Sequence, residues 1–328
     1  MSAGSTVETV RGPVAASELG ATLTHEHIFV LDLALLAAFR TDFEEEPAIA
    51  RAVERLTALK AAGIDTIVDP TVYGIGRDIR RIQRVASRVE LNIVVATGVF
   101  TTTELPPWFQ YRHMLRPAHL GDVLVEMFVG DIRDGIRDTG GVKAGVLKCA
   151  IDEHGLTRDV ERVLRATAVA HRETGVPILT HTDAASRGGL VQQAILAQEG
   201  VDLSRVVIGH CGDTDDLDYL LALLENGSYL GLDRFGADRY LSVEGRIAVV
   251  LELCERGWAH RLLLSQDADA FNDWFDPEWA RRTHPRWRYE LIPLEVVPEL
   301  RARGLPEETI QALMVDNPRR LLAHAGPY

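Results

Sequence analysis

Pro177-Ile178-Leu179-Thr180-His181 is a short, continuously apolar run that ends on a histidine. An amphipathic stretch, residues 187–199, follows it, and Arg205-Val206-Val207-Ile208-Gly209-His210 then repeats the design. Strands without polar alternation are buried on both faces, as in a parallel sheet covered by helices. The unit recurs in both directions. Upstream, apolar runs at Thr66-Ile67-Val68-Asp69, at 92–98 and at 144–149 are read as strands, with a first strand running into Thr24-His25-Glu26-His27. Downstream, 228–232 and 261–265 complete eight. Helical periodicity fills the gaps at 47–62, 77–90, 122–138, 158–174, 187–199, 213–226 and 243–257, with Asp213 as an N-cap of the sixth, and three helices close the chain at 295–303, 307–315 and 318–323. Eight such units predict a (β/α)8 TIM barrel spanning 1–328 as a single domain. The competing fold is an open doubly wound sheet, whose dinucleotide version loses support because no G-x-G-x-x-G follows a strand.

Composition narrows the function. The 328 residues are 46% apolar and 25% charged, as expected of a soluble globular chain, with a net charge of −13. That surface disfavours nucleic acid and anionic membrane as partners. Three scattered cysteines form no disulfide framework, which favours a cytoplasmic setting. Residues 1–14 lack a signal-peptide pattern, and the longest apolar run, 28–39, carries Asp32 and is too short to span a bilayer.

In such barrels the active site lies at the C-terminal ends of the strands. Those ends carry His25 and His27, Lys148, His181, His210 and Asp267. Residues two apart on a strand share a face, which pairs His25 with His27. Four imidazoles and a carboxylate at one rim can hold two divalent cations. The other histidines (113, 119, 154, 171, 260, 284 and 324) fall in helices or loops and read as solvated. Lys148 is the odd member, since an unpaired ammonium at the end of an apolar strand is costly. Either it pairs with Asp152 or Glu153, or carbon dioxide has converted it to an anionic carbamate.

These stretches, together with Gly209-His210-Cys211-Gly212-Asp213-Thr214-Asp215, Leu232-Asp233-Arg234-Phe235-Gly236, Ser265-Gln266-Asp267 and Asp316-Asn317-Pro318-Arg319-Arg320, resemble the phosphotriesterase family of the amidohydrolase superfamily, and within it the phosphotriesterase-like lactonases. The resemblance covers nearly the whole chain from Arg11. It implies one metal on His25, His27 and Asp267, a second on His181 and His210, and N6-carboxylated Lys148 bridging them. Asp267 would also be the catalytic proton acceptor. Zinc is the expected metal, with cobalt, iron and manganese compatible with the same ligands.

Two positions depart from the pattern. Phe100 stands where the lactonases carry a tyrosine, so a hydroxyl over the metals is missing, and Gln266 replaces a histidine before Asp267, a change expected to touch only rim polarity. The long loop 268–293 contains Trp274, Trp279 and Trp287 and reads either as a hydrophobic lid or as packing against the barrel or a second copy. Trp274 and Phe100 are candidate substrate contacts. Arg234 is a candidate organiser of the site, or else an ion-pair partner of Asp233 or Asp238. Cys149 and Cys211 are expected to point away from the site. The expected activity is hydrolysis of lactones, N-acyl-homoserine lactones included, which is quorum quenching, by a homodimer. The alternatives are an organophosphate triesterase and a non-catalytic metal- or lactone-binding protein.

Overall fold

Eight parallel strands stand side by side in chain order: β1 Thr22–Leu23, β2 Thr66–Asp69, β3 Asn92–Gly98, β4 Val146–Ile151, β5 Ile178–Thr182, β6 Val206–Ile208, β7 Tyr229–Leu232 and β8 Leu262–Leu264. The computed structural model describes residues 5–39, 41–323 and 326–328, so His324 and residues 1–4 lie outside the description. Between β8 and β1 no strand ladder forms. The seam is closed by single bonds, from the His25 amide to Ser265 Oγ (3.0 Å) and from the Asp267 amide to the His25 carbonyl (3.1 Å). The result is the expected (β/α)8 barrel, with helices such as Glu45–Ala61, Arg158–Thr174 and Val243–Glu255 between the strands.

Side chains alternate along each strand. Val68, Val94, Val146, Leu179, Val207 and Leu263 stack inside the barrel, while Ile67, Ile93, Leu147, Ile178, Ile208 and Leu262 pack outward under the helices. Leu19, Leu321 and Leu322 join the inner stack at its N-terminal end, so the barrel is a packed core open only at the other rim. Local sequence sets the helix limits. Arg158–Thr174 starts where the Thr157 hydroxyl accepts from the Val160 amide (3.2 Å), carries Asp159 and Glu161 in its first turn, and stops at Gly175 with φ of 78°.

The structure shifts several expected boundaries. The first strand is only two residues long, and His25 and His27 follow it on extended chain. Alternation survives because the Glu26 amide bonds the Val68 carbonyl (2.9 Å) on one side and the His27 amide bonds the Ala268 carbonyl (2.8 Å) on the other. Strand β4 runs on to Ile151, which puts Lys148 inside the strand and not at its end. The helix expected from Asp213 begins at Leu217, capped by Asp216, because Asp213 is drawn away by Arg234 and Arg246. The segment 101–121 contains a helix, Pro107–Met114, and an unforeseen hairpin pairs Thr6–Thr9 with Gly12–Ala15. No helix among the described residues is long and apolar enough to cross a membrane.

Candidate active site

Inward alternation and strand register bring the rim residues together. Gly98 pairs with Lys148 across β3 and β4, and a Cβ on Gly98 would sit 2.0 Å from the Lys148 carbonyl oxygen. Gly209 plays the same part beside His210, where a Cβ would meet the Thr180 carbonyl at 2.1 Å. Both glycines let neighbouring backbones close around the site. His210 and Asp267 hold left-handed backbone, φ of 59° and 55°, a strained choice for non-glycine residues that clusters at functional sites.

Four histidines converge. Asp267 Oδ1 lies 3.4 Å from both His25 Nε2 and His27 Nε2. His181 Nδ1 and His210 Nε2 face each other at 2.9 Å, and the His25 and His210 rings are 4.9 Å apart. Lys148 Nζ stands 3.2 Å from His25 Nε2 and 3.4 Å from the Thr180 carbonyl. Asp152 and Glu153 do not reach it, which corrects the ion-pair expectation, because Asp152 bonds His181 Nε2 at 3.1 Å.

Each ring is fixed from behind. Asp233 accepts from His25 Nδ1 and His210 Nδ1, both at 2.9 Å, and from the His210 amide at 2.7 Å. Thr71 Oγ1 donates to Asp69 and therefore accepts from His27 Nδ1 at 2.6 Å. Asp152 accepts from His181 Nε2. Four outer nitrogens are thus committed as donors, and four inner lone pairs point into one space. This donor set fits divalent cations. His25, His27 and Asp267 form one group that could hold an ion; His25, His210 and Asp233 form another by distance alone, but Asp233 already accepts from the far side of both rings.

The electrostatics agree. Burial pulls His181 down to about 4 and His210 well below its usual value, so both are neutral ligands near pH 7. Burial also lowers His27, but the carboxylates of Asp267 and Asp69 reverse this and hold it at about 9, so its Nε2 carries a proton near pH 7 that a bound cation would replace. Burial works to raise Asp267, yet His25, His27 and Arg234 hold it well below the usual carboxylate range. Carboxylates that favour an imidazolium there favour a metal cation equally. Burial lowers the Lys148 amine to about 8 against the pull of Asp267 and Asp233, so about a tenth of it is neutral at pH 7.

Arg234 follows β7, and its ion-pair partners are not Asp233 or Asp238. Its Nε donates to Asp267 Oδ2 (3.0 Å) and its Nη1 to Asp213 Oδ2 (2.9 Å). Glu26, between the two first histidines, is fully buried and accepts from the Gln266 and Ala268 amides at 2.8 and 2.9 Å. It thereby clamps the turn that carries Asp267. Gln266 is buried rather than on the rim, bonding the Tyr289 carbonyl through its Nε2, while its backbone carbonyl accepts from Trp287 Nε1 (2.7 Å). That corrects its reading as a polarity change: it ties loop to strand.

Phe100 lies edge-on to His181, centroids 5.1 Å apart, and 5.9 Å from Trp274. Trp274, Trp279 and Trp287 all line a cavity of about 110 Å³ whose floor is the histidine cluster, so the loop 268–293 contributes walls of the site. Trp274 is its exposed edge at 48%. Cys149 and Cys211 point outward into the helix-facing core. His113, His119, His154 and His260 are exposed, but His171 and His284 are buried, contrary to expectation. Asp69, Thr71, Asp152 and Asp233 were the residues whose supporting roles the sequence left unread. Asp69 and Asp233 had a signal, an acid at or just after the C-terminal end of a barrel strand.

The phosphotriesterase family profile matches residues 5–322, which is nearly the whole chain. The chain belongs to the phosphotriesterase family. It is 48% identical to a phosphotriesterase homology protein of Mycobacterium tuberculosis over 323 residues, covering 98% of this chain and 99% of that one. A solved structure of the phosphotriesterase from Mycobacterium tuberculosis superposes with a TM-score of 0.94 at 48% identity, over 98% of this chain and 100% of the other. An aryldialkylphosphatase of Saccharolobus solfataricus is 38% identical over 312 residues, 94% of this chain and 97% of its own length. This phosphotriesterase-family chain is therefore a hydrolase of that fold, with histidine and aspartate clusters suited to metal.

Proposed function

We propose that this phosphotriesterase-family hydrolase is a binuclear metal-dependent lactonase, with His25, His27 and Asp267 holding one cation and His181 and His210 the other. The observation that carries the metal reading is the set of four imidazoles whose outer nitrogens are all committed and whose inner lone pairs converge. When bound, two divalent cations, zinc first among the candidates, acidify water to hydroxide near neutral pH and polarise the oxygen of the scissile group. Lys148 joins the ligands as N6-carboxylysine: the lone pair of its neutral amine adds to carbon dioxide, one proton leaves, and an anionic oxygen replaces the ammonium. Its lowered basicity supports that step. Asp267 takes the proton of the attacking water and passes it to the ring oxygen as the lactone opens. Arg234 and Glu26 keep Asp267 in place for this transfer. Asp233, Thr71 and Asp152 fix the imidazole orientations.

The aromatic walls support the substrate class. Phe100, Trp274, Trp279 and Trp287 make the cavity aromatic above the polar floor, which suits an acyl tail beside a compact ring and supports N-acyl-homoserine lactones and quorum quenching. A second reading, hydrolysis of organophosphate triesters, is favoured by the 38% identical relative named aryldialkylphosphatase. The two are separated by kcat/KM for one long-chain lactone and one aryl phosphotriester. A higher value for the lactone is expected; a higher value for the phosphotriester refutes the substrate assignment.

A further inference from the structure

The lid contains a polar group with nothing to bind. His284 is 5% exposed, and its Nδ1 is buried without a hydrogen-bond partner. It closes the C-terminal end of the lid helix Pro277–Thr283 and lies edge-on to Trp279 and Trp287, with centroids 5.5 and 5.8 Å away. Those rings fix the imidazole plane and offer it no hydrogen bond. Burial and the nearby charge of Arg239 lower its pKa, so it is neutral at pH 7. His284 lines the active-site cavity and also an adjoining cavity of about 530 Å³, and Phe275 and Trp287 are walls of both. It is thus a wall shared by the two spaces. A buried ring nitrogen without a partner has lost its hydration, and a ligand atom that bonds it recovers that loss. A plain alkyl tail cannot.

We propose that His284 is a specificity-determining residue whose Nδ1–H, uncovered by a shift of the ring as the tail enters, donates a hydrogen bond to an oxygen on the acyl tail, so that the enzyme selects hydroxy- or oxo-substituted tails over unsubstituted ones. This rests on the lactonase reading above and deepens it. The test uses the metal-loaded enzyme and N-acyl-homoserine lactones of equal chain length, unsubstituted, 3-hydroxy and 3-oxo. A single neutral hydrogen bond sets the expected preference at roughly three- to tenfold in kcat/KM, expressed mainly in KM. His284→Phe keeps an aromatic ring among the tryptophans and should erase the preference. His284→Asn keeps a hydrogen-bonding atom near Nδ1 and should retain part of it. Equal values for all three tails in the parent, or a preference that survives His284→Phe, overturns the proposal. If no lactone is opened, the lactonase reading has failed, and the same compounds are then compared as ligands by quenching of tryptophan fluorescence. Tighter binding of the oxygenated tails, lost in His284→Phe, still supports His284, and equal affinities refute it.

Discussion

Lys148 is a buried amine beside His25 and the Thr180 carbonyl, with no carboxylate bonded to it. As an ammonium it would repel the metals; as a carbamate it would complete them. Lys148→Ala is expected to lose both metal and activity, with partial rescue of both by a short carboxylic acid. An unmodified ammonium in metal-loaded protein, seen crystallographically, would refute the carbamate. Asp233 supports two rings at once, and loss of such an outer partner costs roughly 10–100-fold in metal affinity. Asp233→Asn should show that loss in a competitive chelator titration; unchanged affinity would mean the rings are held by packing alone. Phe100 sits against His181, where a tyrosine hydroxyl would face the site. One hydrogen bond there is worth about 0.5–1.5 kcal/mol. Phe100→Tyr should therefore change lactone kcat/KM by at most about tenfold, and a switch of preference between phosphotriester and lactone would contradict this.

The strands were legible because their apolar runs are uninterrupted, and the rim followed from the last residue or two of each run. His181 and His210 needed nothing more than that rule. His25 and His27 were read correctly as partners on an element that is in fact two residues long. Their alternation is maintained by hydrogen bonds from β2 and from the segment after β8, which no local pattern reveals. Glu26 shows the same limit. Its role depends on two amides 240 and 242 residues away, so only the closed barrel displays it. The lid was visible as a long tryptophan-bearing loop, but its anchor through Gln266, Trp287 and Tyr289 joins residues more than twenty apart. Glu26→Leu would strand both amides, at about 1–3 kcal/mol each. A lower urea midpoint with weakened kcat is expected; a variant with parental midpoint would show that the clamp is redundant.

For the whole molecule, the site is the barrel's open end, and metal binding should be folding energy. Side chains on or just after β1, β4, β5, β6 and β8 meet in one cluster, so an ion held there would tie most of the circumference together. At free metal a thousandfold above Kd, one bound ion adds about 4 kcal/mol. Over 328 residues that corresponds to roughly 6 °C in Tm. Chelation should lower Tm by at least that much, and re-addition of zinc should restore it; an unchanged Tm with the metal verifiably removed would mean that the cluster folds equally well without its ions.

Whether the four histidines and Asp267 form a two-metal centre is read out by elemental analysis. Protein purified without chelator should contain about two divalent ions per chain, and His181→Ala should retain fewer with activity lost in proportion. Metal content near zero in a preparation that hydrolyses its substrate at full rate would mean that the cluster is not a metal centre.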